Sequence, residues 1–194
     1  MTEVGFEHRQ YLIRRKVLTI LGAKFHIYDS DGNVVLFSKQ KAFKLKEDIR
    51  VYTDDTMAEE RLMIRARSII DFSAAYDVVD SVSQRKIGAL RRQGMKSFVR
   101  DSWQILDADD NLIAPLEEDS TAMALVRRFL ANLIPQKFHV DVGGKPAVRY
   151  AQRFNPFIFK MDVSLDSASD GVIDPLLALA AGILLVAIEG RQDG

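Results

Sequence analysis

Apolar and polar residues alternate in short runs along most of this chain, and two of the runs look alike. Phe25-His-Ile-Tyr-Asp-Ser-Asp-Gly-Asn-Val-Val and Trp103-Gln-Ile-Leu-Asp-Ala-Asp-Asp-Asn-Leu-Ile share an aromatic start. They also share Ile27 with Ile105, Asp29 with Asp107, Asp31 with Asp109 and Asn33 with Asn111. Each predicts a strand, a polar turn and a second strand. Asp and Asn suit such turns because their side chains bond nearby backbone and tolerate left-handed φ. Asp31 beside Gly32 is the strongest hairpin signal in the chain. Two weaker relatives turn near Ser81 to Arg85, after Tyr76, and at Gly143-Gly144, after Phe138. Ile49-Arg-Val-Tyr and the run from Leu62 to Ile69 add two strands, with Ala58-Glu-Glu as the turn between them. Turn signals at such intervals, flanked by β-branched and aromatic residues, predict many short antiparallel strands.

Two stretches follow a helical pattern instead. Ser120 suits an N-cap after Glu117, Glu118 and Asp119, whose charges favour a helix N-terminus. Ala122, Leu125, Val126, Phe129, Leu130 and Leu133 then share one face, and Pro135 ends the run. This predicts an amphipathic helix packed on the outside of the sheet. The second stretch, Pro175 to Ile188, is apolar on every side. Asp174 and Pro175 form a fitting N-cap and first-turn pair.

At ~1.5 Å per residue the second helix spans about 21 Å, whereas a bilayer core needs about 30 Å. Extending it backwards would carry Asp174 and Asp170 into hydrocarbon. A helix that is apolar all round and too short to span is a buried core helix. A transmembrane helix is the alternative, since bilayer thinning and snorkelling shorten the requirement. Antiparallel strands and one all-apolar helix have a natural joint solution. The sheet closes around the helix, which removes exposed edges and fills the interior.

Composition narrows the function classes. With 194 residues, 47% hydrophobic and 28% charged, the chain fits a single domain over 1–194, its core roughly 9–190. It has no cysteine, which excludes disulfides, thiolate metal sites and a cysteine nucleophile, and suits a reducing cytoplasm. Met1 to Gln10 lacks the apolar stretch of a secretory signal. Lys plus Arg equals Asp plus Glu at 27 each, so no nucleic-acid partner is expected and any anion site must be a local patch.

The order of these features resembles the tubby C-terminal-like superfamily. It runs from Tyr11-Leu-Ile-Arg-Arg-Lys-Val-Leu through Phe25-x-Ile-Tyr-Asp-x-Asp-Gly-Asn and its repeat at Trp103 to the terminal apolar helix. Within the superfamily the chain is most similar to the plant LURP-one-related proteins and the phospholipid scramblases, over roughly residues 9 to 190. The resemblance implies a mainly β (α+β) fold. This is a closed antiparallel barrel of about twelve strands around the C-terminal helix, with one further amphipathic helix. It also implies binding of phosphoinositides or other anionic phospholipid head groups, or scramblase-like behaviour; no cofactor is expected, and an enzyme with an unrecognised site is a third reading. The expected location is cytoplasmic and peripheral to the membrane. The chain departs from scramblases in lacking their proline-rich N-terminal tail and acylated cysteine cluster, so stable anchoring by acylation is not expected. A soluble interaction or small-molecule-binding module is the alternative.

The residues offer three candidate sites. Arg85, Lys86, Arg91, Arg92, Lys96 and Arg100 lie between Gln84 and Asp101 without an intervening acid, with Phe98 and Trp103 nearby. They form either a patch for phosphate head groups or the solvated outer faces of two strands, blunting an edge. Arg9, Arg14, Arg15 and Lys16 join that patch only if the fold brings them near. Asp162, Asp166, Asp170 and Asp174 approach the terminal helix, where the scramblase likeness implies calcium. Calcium needs six to eight oxygens, usually from a tight loop, and this spacing is loose. Asp107, Asp109, Asn111 and Glu118 echo a calcium loop, but Leu112 stands where the sharp turn needs Gly. The twin turn has Gln40 in place of the final Glu. Catalytic chemistry is the emptiest class: His8, His26 and His139 lack metal-ligand spacing, and no nucleophile elbow or phosphate-binding glycine loop occurs.

Overall fold

A computed structural model of the chain describes residues 7–16, 22–41, 48–68, 75–93, 102–119, 135–155 and 157–189. Twelve strands run through these segments. They are β1 Gln10–Lys16, β2 Gly22–Tyr28, β3 Val34–Lys41, β4 Asp48–Tyr52, β5 Glu60–Ala66 and β6 Ala75–Asp80. Next come β7 Arg85–Gln93, β8 Ser102–Leu106, β9 Leu112–Glu118, β10 Lys137–Val142, β11 Lys145–Arg153 and β12 Ile158–Leu165. A 3₁₀ turn at Ser167–Ser169 and helix α1, Pro175–Glu189, complete the order. Each strand pairs antiparallel with its sequence neighbours, and β1 pairs with β12, so the barrel is closed. The amphipathic helix expected after Ser120 falls outside the described residues.

Alternation sets the two faces of the wall. Along β1, Tyr11, Ile13 and Arg15 are buried, while Leu12 and Arg14 are half-buried. Along β12 the alternation is unbroken, with Phe159, Met161, Val163 and Leu165 inward. The inward side chains close on α1, whose residues Leu176 to Leu185 are nearly all without exposure. Asp174 caps the helix by accepting the Leu176 N–H at 2.8 Å. Deeper in, the Tyr150 hydroxyl donates to the Ala178 carbonyl at 2.9 Å, and full burial raises its pKa. At the helix C-terminus the Arg15 guanidinium donates to the Val186 carbonyl at 3.4 Å, a cation placed against the negative end of the macrodipole.

Close approach explains the small residues. A Cβ on Gly182 would meet Val163 Cγ2 at 2.9 Å and Ile13 Cδ1 at 3.0 Å. A Cβ on Gly88 of β7 would meet the Leu106 carbonyl oxygen at 2.5 Å and Leu177 Cδ2 at 2.7 Å. Between Leu90, Trp103 and Leu116 on the wall and Ala181, Leu184 and Leu185 on the helix, no space admits a water molecule. This part of the interior is filled by the chain itself.

The repeated Asp-rich turns are twins in structure as well. Asp29 Oδ1 accepts the N–H groups of Asp31 and Asn33, and Asn33 Nδ2 donates to Asp29 Oδ2. Asp107 does the same with Asp109 and Asn111. Gly32 and Asp110 occupy matching left-handed positions, at φ 86° and 69°. Hydrogen bonds from each Asn hold the Asp29 and Asp107 carboxyl groups below the usual range. Register shifts follow at Ile27/Tyr28, Val51/Tyr52, Val78/Val79, Ile105/Leu106 and Val140/Asp141. Each bulge sits beside a hairpin turn, at the barrel rim where such features are common. All five hairpin turns and the start of α1 mark one end of the barrel, called the hairpin end here. The turn between β11 and β12 and the last turn of α1 lie at the far end.

Candidate anion-binding surface

The register of β7 splits the basic run that stands out in the sequence. Arg85 faces Asp80 across the β6–β7 pair. Lys86 Nζ lies 2.7 Å from Asp110 and 3.7 Å from Asp77, and both acids also bind Arg67. Arg91 and Arg92 are adjacent on one strand, so their side chains leave opposite faces of the wall. Arg92 shares the parity of inward Leu90, and its guanidinium stands 5.9 Å from the Trp103 ring centre. Lys96 and Arg100 lie outside the described residues. Closure of the barrel also removes the idea that this run blunts an edge, because no edge exists.

The second basic cluster does not join the first. In the closed order β1 stands six strands from β7, on the opposite wall. Arg9 pairs with Asp170 at 2.8 Å. The weak calcium candidates are likewise dispersed. Asp162 receives two hydrogen bonds from Arg153, at 2.6 and 2.7 Å, and Asp166 pairs with Arg149 at 2.7 Å. Asp170 faces Arg9, and Asp174 caps α1. Glu118 is buried at the end of β9 remote from Asp107, about 20 Å along the strand, so the two do not form one calcium loop. Among the described residues, no group of three or more His, Asp or Glu is placed to hold a metal ion.

The β1 wall carries a different arrangement. Arg14 on β1 sits directly opposite Lys160 on β12, and Lys160 sits directly opposite Arg153 on β11. One strand further round, Lys24 on β2 faces Lys39 on β3. All five share the outward parity of their strands, and Lys24, Lys39 and Arg153 are exposed. Like charges directly opposite across a sheet destabilise it. Arg153 is neutralised by Asp162, and Arg14 lies over Tyr28, 5.2 Å from the ring centre. Among the described residues, no carboxylate pairs with Lys24, Lys39 or Lys160.

Beside this row runs a groove of about 370 Å³, lined by Tyr11, Leu12, Arg14, Tyr28, Arg153 and Asp162 with the Asp29 turn. Burial pushes the Tyr11 hydroxyl up to about 12, so it stays neutral behind the groove wall. Arg14 and Arg153 offer planar donors and Asp162 an acceptor, a set that suits a phosphate next to hydroxyl groups. The histidines stand apart. His8 packs on Tyr11, His26 on Phe37, and His139 meets Asp119 at 2.6 Å.

Sequence reading missed Lys24, Lys39, Arg153 and Lys160 because four separate strands contribute them. The available signal was outward parity on each strand, which becomes a patch only once β1 is known to pair with β12. Comparison with protein families gives a match over residues 34–185 to the family described as LURP-one-related. Among curated proteins none matches the chain.

Proposed function

The chain belongs to the LURP-one-related family, part of the tubby-like superfamily, and from that premise we propose that its barrel binds anionic lipid head groups at a membrane surface. In this reading the protein is not an enzyme, and its association with the membrane is peripheral and reversible. The observation that carries it is the row Arg14–Lys160–Arg153 with Lys24–Lys39 beside it, in a chain whose charges balance. A neutral chain gains no stability by stacking cations across neighbouring strands. A surface that meets phosphate gains from it.

Each cation near an anionic bilayer contributes about 1 kcal/mol. Lys24, Lys39 and Lys160 together give about 3 kcal/mol, roughly a hundredfold in partitioning. That is enough for recruitment and too little for permanent anchoring. No helix among the described residues is long and apolar enough to cross a membrane. The filled section of the interior likewise supports surface binding over lipid passage along the barrel axis.

Co-sedimentation with phosphatidylserine-containing vesicles and with neutral phosphatidylcholine vesicles, across a salt series, tests the proposal. Binding to the anionic vesicles alone, lost at high salt, is expected. No binding at low salt overturns it. A second reading rests on the groove, whose volume suits a small molecule. Capture of a soluble phosphorylated polyol, with no binding to vesicles, would favour that reading.

A further inference from the structure

We propose that Phe154 and Phe157, in the turn between β11 and β12, form an apolar wedge that enters the bilayer interface beside the cationic wall. The inference rests on the lipid-surface reading above and fixes how the barrel is oriented. Phe154 is 56% and Phe157 69% exposed, and among the described residues they are the aromatic members of the exposed large apolar set. The others, Val34, Met57, Val82, Leu112 and Val172, stand singly in or beside separate connections at the hairpin end. Single exposed aliphatic residues on turns are ordinary. Two phenyl rings exposed on one short turn are not, because aromatic side chains gain the most from leaving water.

The turn holds both rings out. Asn155 Oδ1 accepts the N–H groups of Phe157 and Ile158, each at 2.9 Å. At its base, Arg153 is clamped to Asp162 by two hydrogen bonds. These bonds fix the backbone on both sides of the rings.

Charge selects a lipid surface as the occupant. Arg153 directly precedes Phe154, and Lys160 follows Phe157 by three positions, opposite Arg14. The rings therefore project from the margin of the cationic wall. Among the described residues, the turns at the other end of the barrel hold Asp29, Asp31, Asp54, Asp55, Asp107 and Asp109. A barrel that lowers its far end and β1 wall onto an anionic bilayer keeps these carboxylates away from the like-charged surface. Apolar rings flanked by cations match the layered chemistry of that surface, with anionic heads above hydrocarbon.

The test uses the full chain and vesicles of phosphatidylserine mixed with phosphatidylcholine. The double variant Phe154→Ser/Phe157→Ser should lose roughly tenfold or more in partitioning while keeping its salt dependence. Phe157→Trp should be quenched by lipids brominated high on the acyl chain; the native Trp103, buried inside the barrel, supplies an unquenched background. Wild-type binding that the double variant matches, with Phe157→Trp unquenched, overturns the wedge and leaves the head-group reading standing. Failure of the wild type to bind anionic vesicles overturns both. Binding of the turn to an acidic protein instead, with no quenching by lipid, also overturns the wedge.

Discussion

Gly88 is the position where a single methyl group interrogates the seating of α1. The glycine faces inward on β7, opposite Val78 of β6, with α1 beneath it. A Cβ there would stand 2.5 Å from the Leu106 carbonyl oxygen and 2.7 and 3.1 Å from the two methyl groups of Leu177. The Leu177 methyls can rotate away, but the Leu106 oxygen belongs to the backbone of β8. A relaxed C···O approach is about 3.3–3.6 Å, so β7 and β8 would have to part by about 1 Å. Overpacking of this kind costs about 1–3 kcal/mol, and a backbone obstacle puts Gly88→Ala near the upper limit. Relief of glycine's conformational freedom in the unfolded chain returns about 0.5–1 kcal/mol. The net loss is therefore about 2 kcal/mol. For a chain of this size that lowers the thermal midpoint by about 4–8 °C. Gly182→Ala is the internal comparison. Its obstacles are the side-chain tips of Val163 and Ile13, and alanine gains about 1 kcal/mol in a helix interior, so its shift should be smaller. Thermal and denaturant unfolding of both variants measures this. A Gly88→Ala midpoint at or above wild type would refute the packing of α1 against β7.

Asp174 caps α1 from an exposed position, and desolvation by its surroundings raises its pKa above the ordinary value. The stability linked to its protonated form is complete below about pH 4 and is lost as pH rises through the folded value. At pH 7, Asp174→Asn should match or exceed the wild-type midpoint, because it keeps the acceptor and sheds the charge. Asp174→Ala should lose about 1 kcal/mol, and equal midpoints for the two variants would remove the cap from the account. Arg67, and then Lys86, hold Asp110 down to about 2, so its contribution is complete above about pH 4 and fades as pH falls toward 2. Asp110→Asn should therefore destabilise the protein at pH 7 and flatten its acid denaturation over that range. A wild-type acid limb in the variant contradicts the network. Joint replacement of Asp107 and Asp109 by Asn should leave calcium titrations unchanged, since Asp107 spends its oxygens on its own turn. Calorimetric calcium binding that disappears in this double variant would contradict that.

Much of the fold is legible because local chemistry and tertiary structure agree. The Asp29 and Asp107 turns announce themselves by residue type and then form the same hydrogen bonds. Pro175 to Ile188 announces a core helix through its uniform apolarity and insufficient length. The turn expected at Ala58 to Glu60 lies slightly earlier, with Met57 in the left-handed conformation. The basic run divides on the barrel for a physical reason. Charges contiguous in sequence, such as Arg91 and Arg92, leave a strand on opposite faces. Charges contiguous on the wall, such as Arg14, Lys160 and Arg153, come from distant segments joined by closure of the barrel. The acids of Arg85–Arg100 were hidden in the same way, since Asp77 and Asp110 reach Lys86 from other strands.

The cationic wall is tested most directly by charge reversal with a charge-matched control. Lys24→Glu/Lys39→Glu/Lys160→Glu reverses the wall cations that no carboxylate pairs among the described residues. Arg85→Glu, Arg91→Glu and Lys145→Glu make the same change in net charge elsewhere on the barrel. Affinity for phosphatidylserine-containing vesicles is measured for wild type and both variants at one low salt concentration. The account predicts that the control stays within a few-fold of wild type while the wall variant loses at least roughly a hundredfold. Equal affinities for the two variants would contradict it, because binding would then follow net charge and not the β1 wall.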